Sequence, residues 1–449
     1  MKTIRLLGIL AILIFAAQTA MAADYFVRAG AAGTNNGSDW NNAYPSLPTT
    51  LIRGSVYYIA GGSYPAYTFD DAVSGTSLIT IKKATASDHG TDTGWNSSYG
   101  TAQAVFSSIL KFNTSYYVFD GQTRDENNWF NGDAYGIRIS HNNNDQNIII
   151  KASNISVKYV YVNAIFGNAS SSTCNYTATT CRRYAIDTDG SNATGLLFHK
   201  MYVYGGNNIW FIRTTTGTIV EYSATYGGNS NSYNHGEVVN CYFSVMNAIV
   251  RYNDIRETYT LSGGGGTAIV AITKTGASGV TGPGADGLQF YGNVVSDYRV
   301  GDGAIGYTGG NSSHIRVYNN TFIRSTGYNA GTSFGTGTDN LVYNNLWITY
   351  GTLYHGGTHD YNAYSGSSNI GESHAQINVP TSILADYSGN DFRLTAATSA
   401  GSTLSSPFNH DMLEHVRGAD GEWDRGAFEF GGSNLIVSRP NAPLNLSIL

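Results

Sequence analysis

The sequence predicts an all-β chain folded as a right-handed parallel β-helix with a cap at each end. Three observations predict it. Charge is scarce, at 12% Asp, Glu, Lys and Arg, beside 54 glycines and 33 tyrosines, so long helices of Glu, Lys, Ala and Leu are not written here. Short alternating strands separated by glycine or asparagine turns recur along the chain. One asparagine returns at the same place in each repeat: VRYNDI (250–255), FYGNVV (290–295), VYNNTF (317–322) and VYNNLW (342–347) align on Asn253, Asn293, Asn320 and Asn345.

The N-terminal 22 residues come first. Lys2 and Arg5 precede an apolar run from Leu6 to Ala17 and a small-residue end at Ala20-Met21-Ala22, the layout of a cleaved secretory signal whose apolar run is too short to span a bilayer. Residue 23 is alanine rather than cysteine, which argues against a lipid anchor there. Without the signal, 23 basic residues face 31 acidic ones, a net charge of about −8, and such a balance argues against nucleic acid as a partner. No later stretch is apolar enough to span a membrane.

Residues 23–432 read as one domain, since a solenoid grows by stacking repeats and escapes the usual size limit of a domain. SLITIKKA (77–84), GIRIS (136–140), NIIIKAS (147–153) and SVKYVYVNAIF (156–166) alternate as half-buried strands, with 85–101 and 121–135 as loops projecting between them. Cys174 and Cys181 frame a polar loop and suit a local disulfide in an oxidising compartment, while Cys241 reads as a small buried hydrophobe.

From about residue 180 the repeat is clearest. Ile255, Val295, Phe322 and Trp347 follow the aligned asparagines by two and share their face. The last three asparagines are spaced by 27 and 25 residues, whereas the 40 between the first two call for an insertion, found in the glycine-rich Ser262 to Gly284. A preceding strand recurs as NIWFI (208–212), EVV (237–239), TAIVAI (267–272) and GAIGY (303–307). Such periods, built of strands alone, are those of a β-solenoid; a β-propeller would repeat at about 40–50 residues with four strands to a blade. Asparagine suits an inward turn because its amide bonds the copy one rung away, about 4.8 Å off, where aspartate would repel its own copy. Residues 433–449, rich in Gly, Ser, Asn and Pro, read as a linker-like tail.

Both ends of the domain resemble the secreted bacterial right-handed β-helix proteins of the pectate-lyase-like class. DYFVRAGAAGTNNGSDW (24–40) followed by RGSVYYIAGGSY (53–64) is similar to that group's opening strand, Gly/Asn loop and "G-D-x-V-Y-x-x-x-G-x-Y", with Ser55 in place of the aspartate. DFRLTAATSAGSTL (391–404) and DRGAFEF (424–430) resemble its closing segments. The resemblance implies the architecture and a carbohydrate-directed role. It does not choose a chemistry, because the group includes lyases, hydrolases, epimerases and proteins without known catalysis.

Cleaving an acidic glycan by β-elimination needs a base and a cation that neutralises the uronate carboxylate. Asn234-His235-Gly236-Glu237 opens a strand, and the repeat alignment sets Glu237 near the column of Trp210, Ala268 and Ala304 with Asp302 close by. On this reading His235, Glu237, Asp302 and Arg213 line one groove, with Arg251 as a further catalytic candidate. The alternative is a solvated strand edge with unrelated polar residues. Calcium is the cofactor such chemistry would call for, and DTDGSN (187–192) offers Asp187 and Asp189, with Asp286 in the GADG turn as a further ligand. The closing glutamate of an EF-hand is missing, and a strand-to-strand turn uses the same residues. Tyrosines recur strand by strand at 202, 204, 222, 226, 252, 291, 318 and 343, and outward rows of them would bind sugar rings, with Tyr222 and Tyr252 as the candidates; a ladder of packed tyrosines is the alternative. The aspartate motifs of polygalacturonases are missing, as are G-x-S-x-G, H-E-x-x-H and a Walker loop. Two functions stay open: an enzyme, most simply a lyase, acting on polysaccharide, and a non-catalytic surface or matrix protein that binds glycans or partners along an elongated face.

Overall fold

The computed structural model describes residues 22–140, 146–164, 184–206, 208–227, 237–256, 266–273, 284–308, 312–327 and 329–431. Three long parallel sheets run its length. The first has twelve strands, from Asp24–Val27 to Thr358–Asp360; the second has eleven, from Gly62–Tyr64 to Ala363–Tyr364; the third begins at Tyr67–Phe69 and ends at Thr326–Gly327. One coil visits all three, as in Glu237–Met246 (third), Ile249–Arg251 (first) and Asp254–Arg256 (second). This is the right-handed parallel β-helix that the repeats predict.

The period-two pattern of the strands explains the core. In the first sheet Phe119, Val157, Phe198, Val220, Val250, Phe290, Val317 and Val342 stack in one inward column, all at most 2% exposed. In the second, Ile255, Val295, Phe322 and Trp347 do the same, and the Phe322 and Trp347 rings stack at 4.7 Å. Burying one such side chain stabilises by roughly 1.5–3 kcal/mol, so each coil holds its neighbours mainly through this stripe.

Between the first and second sheets the chain turns on one left-handed residue per coil. Tyr159, Lys200, Tyr222, Tyr252, Gly292, Asn319 and Asn344 have φ between +49° and +62°. The next residue points inward, and from Asn253 on it is always asparagine. Each Nδ2 donates to the Oδ1 one coil further: Asn253 to Asn293 at 3.0 Å, Asn293 to Asn320 at 3.0 Å, Asn320 to Asn345 at 2.9 Å, and Asn345 to Asn362 at 3.0 Å. The row ends on the buried Glu372, which accepts from Asn362 Nδ2 at 2.7 Å and Tyr364 Oη at 2.6 Å.

The expected loops do not project. In 85–101, Trp95 and Tyr99 pack on Trp40 with Phe26 and Tyr58, covering the outward aromatics of the first strands. In 121–135, Trp129, Phe130 and Tyr135 are buried against the second sheet. The C-terminal segment covers more of that sheet, with Ile383, Leu384, Phe392, Met412 and Phe428 buried on it. Cys241 is buried, and burial pushes its thiol up to about 12. Cys174, Cys181 and the 433–449 tail lie outside the described residues. Among the described residues no helix is long and apolar enough to cross a membrane.

Candidate functional site

The third sheet carries the longest strands, Asn208–Thr216, Glu237–Met246, Gly266–Thr273 and Arg299–Thr308. Trp210 points inward, its indole N–H on Thr225 at 3.0 Å, while Phe211 and Arg213 lie outside the inward-facing core cluster and face the other way. Asp187, Phe211, Asn240 and Ala271 make one outward column, and Arg213, Tyr242 and Thr273 a second.

Aromatic rings line this face. Tyr184 stacks on Phe211 at 4.2 Å, Phe211 meets Tyr242 at 5.0 Å, and Tyr242 meets Phe243 at 4.1 Å. Pairing shifts by one residue between Arg213 and Thr215, and Thr214 and Phe243 take φ of +48° and +69°. A left-handed phenylalanine is costly, and a bulge that re-aims a side chain is a common device beside functional sites. Next to the rings, Asn240 Nδ2 donates to Asn208 Oδ1 at 2.7 Å and Thr273 Oγ1 donates to Asn240 Oδ1 at 3.2 Å.

A charged cluster closes one end. Arg213 grips Asp187 through Nε and Nη2, both at 2.8 Å, and Asp189 through Nη2 at 2.7 Å. Lys151 Nζ lies 2.9 Å from the other Asp189 oxygen. The Thr188 hydroxyl ties down the Arg213 backbone, accepting from its N–H at 2.6 Å and donating to its carbonyl at 2.9 Å. Burial raises the Asp187 carboxyl above the usual aspartate range, opposed by Arg213.

The aspartates assigned to calcium therefore face a guanidinium instead of an open cavity, and DTDGSN is a turn with Asp189, Gly190 and Asn192 left-handed. Asp286 sits three coils on, opposite Met246, with its carboxylate 2.6 Å from His314 Nδ1. These three do not converge, so they do not fit a shared cation.

The other candidates separate. Glu237 lies opposite Asn208 and is buried, two places from the expected register, because Trp210 pairs with Val239. Arg213 pairs with Tyr242, so five residues of strand part it from Glu237, about 16 Å at strand rise. Asp302 belongs to the strand Arg299–Thr308, its side chain and the whole of His235 lying outside the described residues.

Arg251 is on the first sheet. There the outward column reads Lys82, Asp120, Lys158, His199, Glu221, Arg251, Tyr291. Glu221 receives His199 Nδ1 at 2.9 Å and Arg251 Nε at 2.7 Å, and Arg251 Nη1 reaches Tyr291 Oη at 3.0 Å. Burial opposes the charge on Glu221, yet the bonds from His199 and Arg251 outweigh it and hold its carboxyl below the ordinary value. Tyr222 and Tyr252 occupy the adjoining turns, with their hydroxyls on Glu414 and the His410 carbonyl. Tyr252, Tyr291 and Tyr318 are at most 4% exposed, and Phe408 packs edge-on against the last two at 4.9 Å. The tyrosines form a packed ladder here, not an open platform. Tyr184, Phe211, Asn208, Asn240 and Lys151 on the third sheet, and His199 and Glu221 on the first, were not singled out by the sequence. Position −2 from the aligned asparagine carried the signal for Glu221, because Arg251, Tyr291, Tyr318 and Tyr343 share it.

No family model matches the chain, and no curated protein does. Among solved structures, pectate lyase Pel9A overlays 92% of this chain on 97% of its own, with a TM-score of 0.52 at 12% identity. The PL6 family polysaccharide lyase Pedsa3628 from Pseudopedobacter saltans (12% identity, 89% and 94% covered, TM-score 0.36) and a rhamnogalacturonan lyase (10%, 81% and 91%, 0.37) overlay too loosely to argue from. At such identity the likeness speaks for architecture alone. The chain has the right-handed parallel β-helix fold of the pectate-lyase type.

Proposed function

We propose that the protein is exported through its first 22 residues and acts on a polysaccharide laid along the third sheet, as a lyase of acidic glycans. The observation that carries this reading is a single outward face holding an aromatic strip, a row of amides and a paired cluster of cations. Tyr184, Tyr242 and Phe243, each partly exposed, present ring surface to sugars, and the buried Phe211 packs against Tyr184 and Tyr242. Asn208 and Thr273, held by the buried Asn240 between them, supply donors and acceptors to hydroxyls. Lys151, about half exposed, and Arg213 meet uronate carboxylates. In the elimination a base removes the proton α to the carboxylate, the carbon–oxygen bond at the β carbon breaks, a carbon–carbon double bond forms, and the departing oxygen takes a proton. His235 is the group to test as base, since Lys151 meets the carboxylate and Glu237 is buried. Pel9A is named a pectate lyase, which agrees with this reading.

The test is ultraviolet absorbance of the unsaturated uronate, with pectin, alginate and glycosaminoglycans, with and without added calcium. Turnover lost in His235→Ala or Lys151→Ala, with the fold intact, supports the lyase. A second reading is binding without turnover. It is favoured by the pairing of Lys151 and Arg213 with Asp189 and Asp187, which leaves little surplus positive charge for a uronate. Retention on a glycan column, weakened by Phe243→Ala and with no absorbance rise on any polymer, would decide for binding. N-terminal sequencing of the exported protein tests the cut after Ala22.

A further inference from the structure

The C-terminal segment ties coils that otherwise touch only their neighbours. Arg425 Nη1 donates to the Asn362 carbonyl at 2.9 Å, Asn344 Nδ2 to the Ser402 carbonyl at 2.7 Å, and Asn319 Nδ2 to the Phe408 carbonyl at 3.0 Å. Further back along the helix axis come Phe408 on Tyr291, His410 on Tyr252 and Glu414 on Tyr222. Six successive coils are thus strapped together, starting at the one that carries Tyr222. In a solenoid, where stability is a sum over neighbours, such a strap adds long-range coupling.

The strap's own shape rests on three buried carboxyls around one buried guanidinium. Asp411 accepts from the backbone N–H of Leu413 and His415, both at 2.8 Å, from Glu429 N–H at 3.0 Å, and meets His415 Nδ1 at 3.0 Å. Asp424 accepts from Thr398 N–H at 2.6 Å and Phe430 N–H at 2.8 Å. Glu429 accepts from Gly418 N–H at 2.5 Å and Asp424 N–H at 3.1 Å, with Arg417 Nη1 3.6 Å away. The Arg417 guanidinium spends its remaining bonds on the carbonyls of His410, Asp424 and Gly426. From the coil, Tyr252 is the titratable group that faces this guanidinium; Asp420 adds a further negative charge beside Asp424. Three acids stand against the Arg417 guanidinium and the His415 imidazole, and this surplus of carboxyls out of water is a charge imbalance that a bound proton relieves.

We infer that the segment 398–430 is a pH-responsive clasp, closed while the buried Asp424–Glu429 pair holds a proton and loosened when that proton leaves. Burial, the largest cause, pushes the Glu429 carboxyl up to about 7 and also raises Asp424. Both folded values lie above the unfolded ones. The clasp's stability is therefore fully present below an unfolded glutamate value of about 4.3 and is lost as pH rises through about 7.

Amide hydrogen exchange of the full mature chain, corrected for the intrinsic pH dependence and followed from pH 5 to 8.5, tests this. Protection of Met412, Arg417 and Ala427 should fall at least tenfold over that range, while that of Val157 and Val203 holds. In Glu429→Gln, which keeps an acceptor for Gly418 but cannot ionise, the fall should shrink to under threefold. Asp424→Asn serves in the same way should Glu429→Gln not fold. Equal pH dependence in the clasp and in the central coils, or a wild-type slope preserved in both variants, overturns the inference.

Discussion

Asn320 is the position at which the asparagine row can be broken with the sharpest expectation. Its Oδ1 accepts from Asn293 N–H at 2.9 Å and Asn293 Nδ2 at 3.0 Å, and its Nδ2 donates to the Phe290 carbonyl and Asn345 Oδ1, both at 2.9 Å. Asn320→Ala strips two buried donors of Asn293 of their acceptor. Leaving a buried polar group unpaired costs about 1–3 kcal/mol, so the loss should be about 2–6 kcal/mol. Asn320→Asp keeps the acceptor for Asn293 but sets a second oxygen against the Phe290 carbonyl and Asn345 Oδ1, with a charge in a site that is 0% exposed. At pH 7 it should be less stable than Asn320→Ala. In acid, where the protonated carboxyl can donate, it should regain stability past the alanine variant. Native-state hydrogen exchange at Asn293 and Thr321, read beside a denaturant titration, measures both terms locally, which matters because a solenoid need not unfold in one step. An aspartate variant as stable as the wild type at pH 7 would refute the reasoning.

Other outcomes follow from the same geometry. Arg213→Ala leaves Asp187 buried without its cation and should destabilise by about 3 kcal/mol, seen as a lower denaturation midpoint, with Arg213→Lys restoring only part because one ammonium cannot span both aspartates. Gly121→Ala should be severely destabilising, since the new Cβ would sit 2.0 Å from the Tyr159 carbonyl oxygen; thermal melts check it. Glu221, whose folded value is depressed, contributes stability above its unfolded value that is lost as pH falls through the lowered one. Arg251→Met should flatten that acid limb in pH-dependent melts.

The repeat was legible because its marker is chemical. An inward amide that must bond its own copy tolerates few substitutes, so Asn253, Asn293, Asn320 and Asn345 stand in register in the sequence as they do in the sheet. The third sheet has no such marker. NIWFI and EVV can be aligned several ways on apolar character, so the sequence alone does not choose between Trp210 and Asn208 as the partner of Glu237, and the bulge at Thr214 and Phe243 slips the later pairing by one more residue. The Asp187–Arg213 clamp joins residues 26 apart across a register that was not recognised, so its carboxylates looked like free oxygen donors. Tyr291 and Tyr318 share a column in the repeat, but nothing local in them announces that Phe408, far later in the chain, folds back over both rings.

The direction of the asparagine row has a consequence for how such a chain can lengthen. Every amide faces the same way, as dipoles in a file, so a duplicated repeat inserted anywhere between Asn253 and Asn362 would find a donor behind it and an acceptor ahead. Past Asn362 the file meets Glu372, which takes both the amide and the backbone N–H of that last asparagine and has no proton of its own to pass on. Growth by repeat duplication is thus an interior event. The carboxylate is a stop mark, and a chain that moved it outward by whole coils would be longer without having to reinvent its end.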